Sequence, residues 1–369
     1  MRMKIGIDIS HAVSSQKTGV GWYSYNIVCA LSEMDSHNEY ALYCHVPPKD
    51  NFFALTETMR VKVISWPFPR LWSQARLSGE LCFAKLDAFF SPSYMAPFCA
   101  PKNTTVTIHD MAFKVYPEVY SPFSRFIQHQ TITRAIKTGA KIITPSHFTK
   151  NELLKYYPKV SQERVFIVHH GADEGIFNRV EDPSGILKKY GVSSFPYVFF
   201  LGRLERKKNI LNLLRAFELI AESMKDVRLV LAGSPGIGYE DIAGYLKKSA
   251  YADRVIEIGF VEREDVPALL SGAECFFYAT LYEGFGLAIV EALACGAPVI
   301  ASLGLPFEEV GGSACVYADK DNPEDIAQKM KNILEDPRFQ SELAQKGIAR
   351  ARQFKWAECA EKTLGVLEM

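Results

Sequence analysis

The chain has 369 residues, with 42 Lys+Arg against 42 Asp+Glu, 48% apolar and 23% charged. This ordinary globular usage excludes a disordered, collagen-like or membrane-spanning protein. At roughly 100 to 200 residues per domain there is room for two domains, each with its own core. The zero net charge sums two unlike halves: residues 1–179 hold 20 Lys+Arg and 14 Asp+Glu, net +6, and the remainder 22 and 28, net −6. There is no overall bias toward nucleic acid, and the basic half is the candidate to meet an anionic partner.

In chain order, the opening MRMKIGIDISHAV has a charged start and an apolar stretch cut short by Asp8 and His11, so it reads as a first strand and not a signal peptide. Short Val/Ile/Phe-rich runs then predict strands at 4–9, 40–45, 61–65, 88–90, 104–108, 141–144 and 165–168, with helices at 21–31, 72–85, 124–137 and 147–156. The segment 171–183, GADEGIFNRVEDP, is polar and turn-rich and reads as a linker. A second series predicts strands at 197–201, 227–231, 255–258, 274–278, 298–301 and 314–317. Helices 324–335, 338–353 and 356–367 end the chain, the first two separated by Pro337. Strands alternating with helices predict an α/β protein of two doubly wound parallel-sheet domains, 1–178 and 179–352, with a final helical segment 353–369. The eight cysteines form no C-x-x-C pair and read as reduced thiols of a cytosolic protein.

The most informative motif is YATLYEGFGLAIVEALACGAPVIAS, where a strand leads through Gly284 and Gly286 into a helix. Backbone N–H groups at such a helix N-terminus suit a phosphate. Glu283 then faces a ligand group in the loop and Glu291 lies inside the helix, each able to accept hydrogen bonds from vicinal hydroxyls; a pair of solvated glutamates is the alternative. In FFLGRLERKKN, Arg203 and Lys208 follow a strand and can clamp a diphosphate without a metal, unless they belong to a solvated basic turn. Asp319-Lys320-Asp321 has the spacing of a divalent-cation site, but it directly precedes NPEDIA, where Asp321 or Asn322 can cap a helix with Pro323 in its first turn. The cap is the reading adopted, and no metal is expected.

In the first half, Gly19 and Gly21 open a helix ten residues after the first strand. This departs from a dinucleotide fingerprint and leaves either a loop that approaches a ligand or a simple turn. His109 closes the strand TVTIHD, where an imidazole can hydrogen-bond a sugar hydroxyl or move a proton. Neighbouring His169 and His170 face opposite ways on a strand and do not suit one metal.

As a set, TIHDMAFKVYPEVYS, ITPSHFTKNEL, HHGAD, GRLERKKN, LAGS, IGFV and the Glu283/Glu291 segment resemble the retaining glycosyltransferases of family 4. That resemblance implies the GT-B fold, with two facing Rossmann-like domains, an interdomain cleft and a C-terminal helix returning to the first domain. It implies that Arg203 and Lys208 bind the donor diphosphate, that Glu283 meets the donor sugar and Glu291 the ribose, and that backbone groups of Gly284, Phe285, Gly286 and Leu287 meet sugar and phosphates. His109 would lie beside the sugar, and Gly19 and Gly21 near the phosphates. Two positions depart from the family pattern: His170 replaces an Asn, and Phe307-Glu308-Glu309-Val310 replaces Pro-Glu-Val.

With no evident carboxylate nucleophile for double displacement, the resemblance implies metal-independent front-face substitution. The expected donor is GDP-mannose, with UDP- or dTDP-sugars as alternatives. The expected acceptor is a lipid-linked or polysaccharide glycan. The expected location is cytoplasmic, with peripheral contact to an anionic membrane through Trp66, Phe68, Arg70, Leu71, Trp72 and Arg76, a cluster that reads equally as a half-buried loop and helix. A sugar-nucleotide epimerase, a nicotinamide oxidoreductase and a silent binding subunit are the alternatives from other classes.

Overall fold

The computed structural model describes residues 2–14, 17–49, 52–68, 71–304 and 306–369. The chain forms two compact units, Met1–Gly171 with Lys355–Met369, and Ala172–Phe354. The first holds β1 (Lys4–Asp8), β2 (Glu39–Cys44), β3 (Met59–Val63), β4 (Ala88–Ser91), β5 (Thr104–Thr107), β6 (Lys141–Thr144) and β7 (Val165–Ile167). They form one parallel sheet in the order β3-β2-β1-β4-β5-β6-β7. The second holds β8 (Tyr197–Leu201), β9 (Arg228–Ala232), β10 (Val255–Gly259), β11 (Cys275–Tyr278), β12 (Val299–Ser302) and β13 (Cys315–Ala318). Its parallel order is β10-β9-β8-β11-β12-β13.

Each sheet therefore reverses its strand order once, between β1 and β4 and between β8 and β11. These are the crevices where doubly wound sheets place ligands. The central strands are apolar without interruption because both faces are covered. In β8, Tyr197 and Phe199 join one core cluster while Val198 and Phe200 join the other. β11 repeats the alternation, with Phe276 and Tyr278 on the first side and Cys275 and Phe277 on the second.

The α/β class and every predicted strand are present, with ends within two residues of expectation. The unit boundary lies at 171/172, so most of the segment read as linker belongs to the second unit, where the Ala172 N–H donates to Phe354 O at 2.9 Å. The last helix, Trp356–Glu368, packs on the helix Gly19–Met34 of the first unit. It is tied there by Asn103 Nδ2 to Leu367 O (2.8 Å) and Lys141 Nζ to Val366 O (2.6 Å). Short helices at Ala112–Val115 and Ser184–Lys189 escaped prediction because four to six residues span too few turns to show a period.

Three expectations are corrected. The predicted helix 72–85 is a π-helical turn, Ser73–Leu77, running into Ser78–Leu81. Cys82 and Cys99 are bonded to each other, against the reading of eight reduced thiols; the end of that helix and the loop before β5 bring their Cα atoms to 5.1 Å, within disulfide reach. Trp72 is not an interfacial residue: it is 7% exposed, sits in a core cluster and donates its indole N–H to Ile64 O at 2.9 Å. Phe68 and Leu71 are exposed, Trp66 is half-buried, and Arg76 pairs with Glu80 at 3.7 Å; Arg70 lies outside the described residues. No described helix is long and apolar enough to cross a membrane.

Candidate active site

The site in the second unit is built from the two loops that leave the adjacent strands β8 and β11. After β8 the chain makes the turn Arg206–Lys208 and reaches Asn209, whose φ of 62° ends that turn and starts the helix Ile210–Ala221. Asn209 Nδ2 donates to Ala279 O (2.9 Å) and Lys320 O (2.7 Å). The Leu281 N–H donates to Lys207 O at 3.0 Å. The bonds to Ala279 and from Leu281 hold the β8 loop against the β11 loop, the bond to Lys320 ties it to the turn after β13, and together they position the side chains across the switch point.

There Lys208 Nζ forms an ion pair with Glu283 Oε1 and donates to the Tyr278 hydroxyl at 3.2 Å. The paired side chains are only 14% and 15% exposed. Burial acts to raise the Glu283 carboxyl, but the Lys208 and Lys207 ammonium groups, with hydrogen bonds from Lys208 and Tyr278, outweigh it and hold the group below its ordinary range. Glu283 is thus a carboxylate at neutral pH, an acceptor for hydroxyls, beside a fixed cation.

The glycine motif follows directly. Gly286 caps the helix Leu287–Ala294 at a φ of 90°, and a Cβ there would stand 2.6 Å from the Phe307 ring. Only glycine suits both the backbone and the space. Phe285 is buried in the core against Phe354, and Leu287 is half-buried at the first helical position. Burial lifts the Glu291 carboxyl to about 7, Arg263 partly opposes this, and Asp173 adds to it. Arg263 in turn bonds Asp173 at 3.3 Å.

Of the residues singled out from sequence in this unit, the fold joins Lys208 and Glu283 and seats Gly284, Phe285, Gly286 and Leu287 beside them. It does not join Arg203, whose side chain is 59% exposed with Glu205 at 3.9 Å. Tyr278, Lys207, Asn209, Arg263 and Asp173 were missed. Only Tyr278, the last residue of a strand already predicted, carried a usable signal. Asp319-Lys320-Asp321 serves the helix start: Asn322 caps it by accepting from the Asp325 N–H (3.1 Å), Asp325 accepts from the Asp319 N–H (2.8 Å) and Asp319 from the Asp321 N–H (3.0 Å).

In the first unit, Gly19 and Gly21 are the first and third residues of the helix Gly19–Met34, Gly19 exposed and Gly21 buried. His109 follows β5 and its Nε2 hydrogen-bonds Pro92 O at 2.8 Å. Burial pushes its imidazole down to about 4, against the opposing effects of that carbonyl and Asp110. The ring is neutral at physiological pH, with Nε2–H donating and Nδ1 left as an acceptor, which favours hydroxyl binding over proton transfer. Tyr23 lies edge-on to it at 4.8 Å, its hydroxyl 3.1 Å from Thr107 Oγ1, and His170 packs against Tyr23 and Trp356.

A pH test follows from Glu291. Its raised carboxyl stabilises the folded unit fully below the ordinary value of 4.5, and that contribution is lost as pH rises to about 7. Glu291→Gln is therefore expected to flatten the dependence of Tm on pH across this window. An unchanged slope, measured by calorimetry on both proteins, contradicts the assignment.

Residues 186–354 match the family model Glycosyl transferases group 1, and residues 18–175 match Glycosyltransferase Family 4. The chain is a glycosyltransferase. It is 27% identical over 368 residues to the O-antigen chain mannosyltransferase B of Escherichia coli, covering 95% of this chain and 96% of that protein. Among solved structures, sucrose-phosphate synthase from Thermosynechococcus elongatus superposes with a TM-score of 0.78 at 19% identity, over 100% of this chain and 98% of that one. HepE of Anabaena, solved with UDP and glucose, gives 0.77 at 18% over the whole of both chains. Together with the two parallel sheets these neighbours establish the GT-B type of fold for the glycosyltransferase.

Proposed function

We propose that this glycosyltransferase moves mannose from GDP-mannose, with retention, onto a lipid-linked or polysaccharide acceptor. The observation that carries the chemistry is the buried Lys208–Glu283 pair at the β8/β11 switch point, next to the N-terminus of the helix Leu287–Ala294. A switch-point cation beside helical N–H groups suits a departing diphosphate. Arg203, exposed and free to swing from Glu205, adds a second cation. Glu283 accepts hydrogen bonds from the donor sugar and Glu291 from the ribose; His109 presents its Nδ1 to a sugar hydroxyl.

Held by Lys208, Glu283 is a poor nucleophile, which favours front-face substitution. The acceptor hydroxyl attacks the anomeric carbon on the side from which the diphosphate leaves, and the leaving phosphate oxygen takes the hydroxyl proton. The engagement of the D-x-D carboxylates in the turn before the helix Pro323–Glu335, Asp319 by the Asp321 N–H and Asp321 by Lys320, supports a reaction without a divalent cation. Mannose is supported by similarity along nearly the full chain to an O-antigen chain mannosyltransferase.

Thermal shift against GDP-mannose, UDP-glucose and a dTDP-sugar tests the donor, because a ligand of the native state raises Tm. GDP-mannose is expected to give the largest shift. A response to a UDP- or dTDP-sugar alone overturns the donor, and no response to any overturns nucleotide-sugar binding. Product NMR showing an inverted anomer, or activity abolished by EDTA, contradicts the mechanism.

A further inference from the structure

The first unit contains a cavity of about 400 Å³ lined by Phe113, Lys114, Pro122, Arg125, Phe126 and His129. It lies between the short helix Ala112–Val115 and the helix Pro122–Lys137, and none of the residues assigned above to the reaction lines it. Its size is that of a small-ligand site. Its lining holds two basic side chains, one imidazole and two aromatic rings, and no acid.

Among the described residues neither Lys114 nor Arg125 has a carboxylate within ion-pair distance. Lys114 is held instead over the rings of Phe113 (5.5 Å) and Tyr157 (5.4 Å), with its ammonium 3.4 Å from His129 Nδ1. The Tyr157 hydroxyl meets the same Nδ1 at 2.9 Å. With two donors aimed at Nδ1, the ring proton belongs on Nε2, a third donor. Burial and the neighbouring Arg125 push the Lys114 ammonium below its ordinary value. A half-buried ammonium and an exposed guanidinium thus line one pocket with no anion between them, an arrangement whose repulsion a bound anion relieves. Phe126 is 57% exposed at the rim and offers a flat apolar face to whatever carries that anion.

We propose that this pocket binds the phosphate or diphosphate group of the acceptor, held by Lys114, Arg125 and His129, with the carrier lying on Phe126. The identity of the ligand as an acceptor rests on the glycosyl-transfer reading, while the affinity for a phosphate ester does not. The carrier is either a lipid or a second sugar, and both present the same anionic group.

The test is calorimetric titration of the full-length protein with inorganic pyrophosphate, farnesyl diphosphate and glucose 6-phosphate. At least one is expected to bind, with affinity reduced about tenfold or more in Lys114→Gln and in Arg125→Gln, the loss of one charge-assisted contact. Lys137→Gln, an exposed position at the end of the same helix, controls for net charge and is expected to bind as the parent does. Preference for farnesyl diphosphate assigns the group to a lipid carrier, and preference for glucose 6-phosphate to a sugar phosphate. Failure of all three to bind overturns the proposal, as does equal affinity in the two pocket variants. The nucleotide-sugar thermal shift is measured on the same variants and is expected to be unchanged. If the parent binds phosphate esters but no nucleotide sugar, the pocket stands and the donor reading falls.

Discussion

Replacing Lys208 or Glu283 with alanine is expected to lower turnover by roughly 10²–10³-fold, the usual cost of removing one preorganised group that meets developing charge. The two side chains are largely shielded from water, where the interaction with a departing diphosphate or a sugar hydroxyl is strongest. The variants also differ in stability. Without Lys208, Glu283 retains the burial that raises its carboxyl and loses the strongest of the effects that lower it, so the group takes up a proton at higher pH. In the parent, Glu283 contributes stability that is present above its unfolded value and lost as pH falls through its lower folded value; Lys208→Ala is expected to lose that contribution. Circular dichroism and Tm establish that each variant is folded, and transfer is then assayed. Near-wild-type turnover in either folded variant removes the pair from the reaction.

The largest effect on stability is expected at Gly233, in the turn after β9. Its φ is 139°, and an added Cβ would stand 1.9 Å from the carbonyl oxygen of Gly202 and 2.7 Å from its carbonyl carbon. Both atoms are backbone of the turn after β8, so no side-chain rotation removes the clash. The alternatives are to shift the loop that carries Arg203 and Lys208, or to break the bond from the Gly233 N–H to Gly259 O at 2.7 Å. Gly233→Ala is therefore expected to cost several kcal/mol, about 3 or more, by the sum of backbone strain and displacement. Gly244→Ala, in the helix Tyr239–Leu246 with nothing within 4 Å of the added methyl, is expected to be neutral or to stabilise by up to about 1 kcal/mol. Urea unfolding of both variants checks this; similar midpoints contradict the close approach.

The two effects show which parts of the site were legible before the fold was known. Runs such as YVFFL and CFFY are apolar on both faces, and that pattern marks a central parallel strand whatever surrounds it. Glu283 and the glycines share one short segment, so their association is local. Lys208 and Glu283 stand 75 residues apart; their direct pairing depends on β8 and β11 being neighbours, and only the strand order decides that. Arg203 was coupled to Lys208 because they are close in sequence, yet the turn at Arg206–Lys208 sends their side chains to different partners. Asp173 falls in the segment read as linker, and Arg263 belongs to no motif singled out from the sequence. Their proximity to Glu291 comes from separate connections converging on one helix.

The Cys82–Cys99 bond and the burial of Trp72 are failures of the same kind. Spacing says which cysteines exist, and a basic aromatic cluster says that an interface is chemically possible, but neither says which side faces water. By itself the sequence determined the α/β class, the two sheets, the glycine-capped helix and the kinship with glycosyltransferases, because strand burial, turn chemistry and family motifs are written in neighbouring residues. The tertiary structure alone decided the Lys208–Glu283 pair, the neutral state of His109 and the acid-free basic pocket at Lys114 and Arg125. Charge state and pairing depend on distance and burial, and those are set by long-range packing.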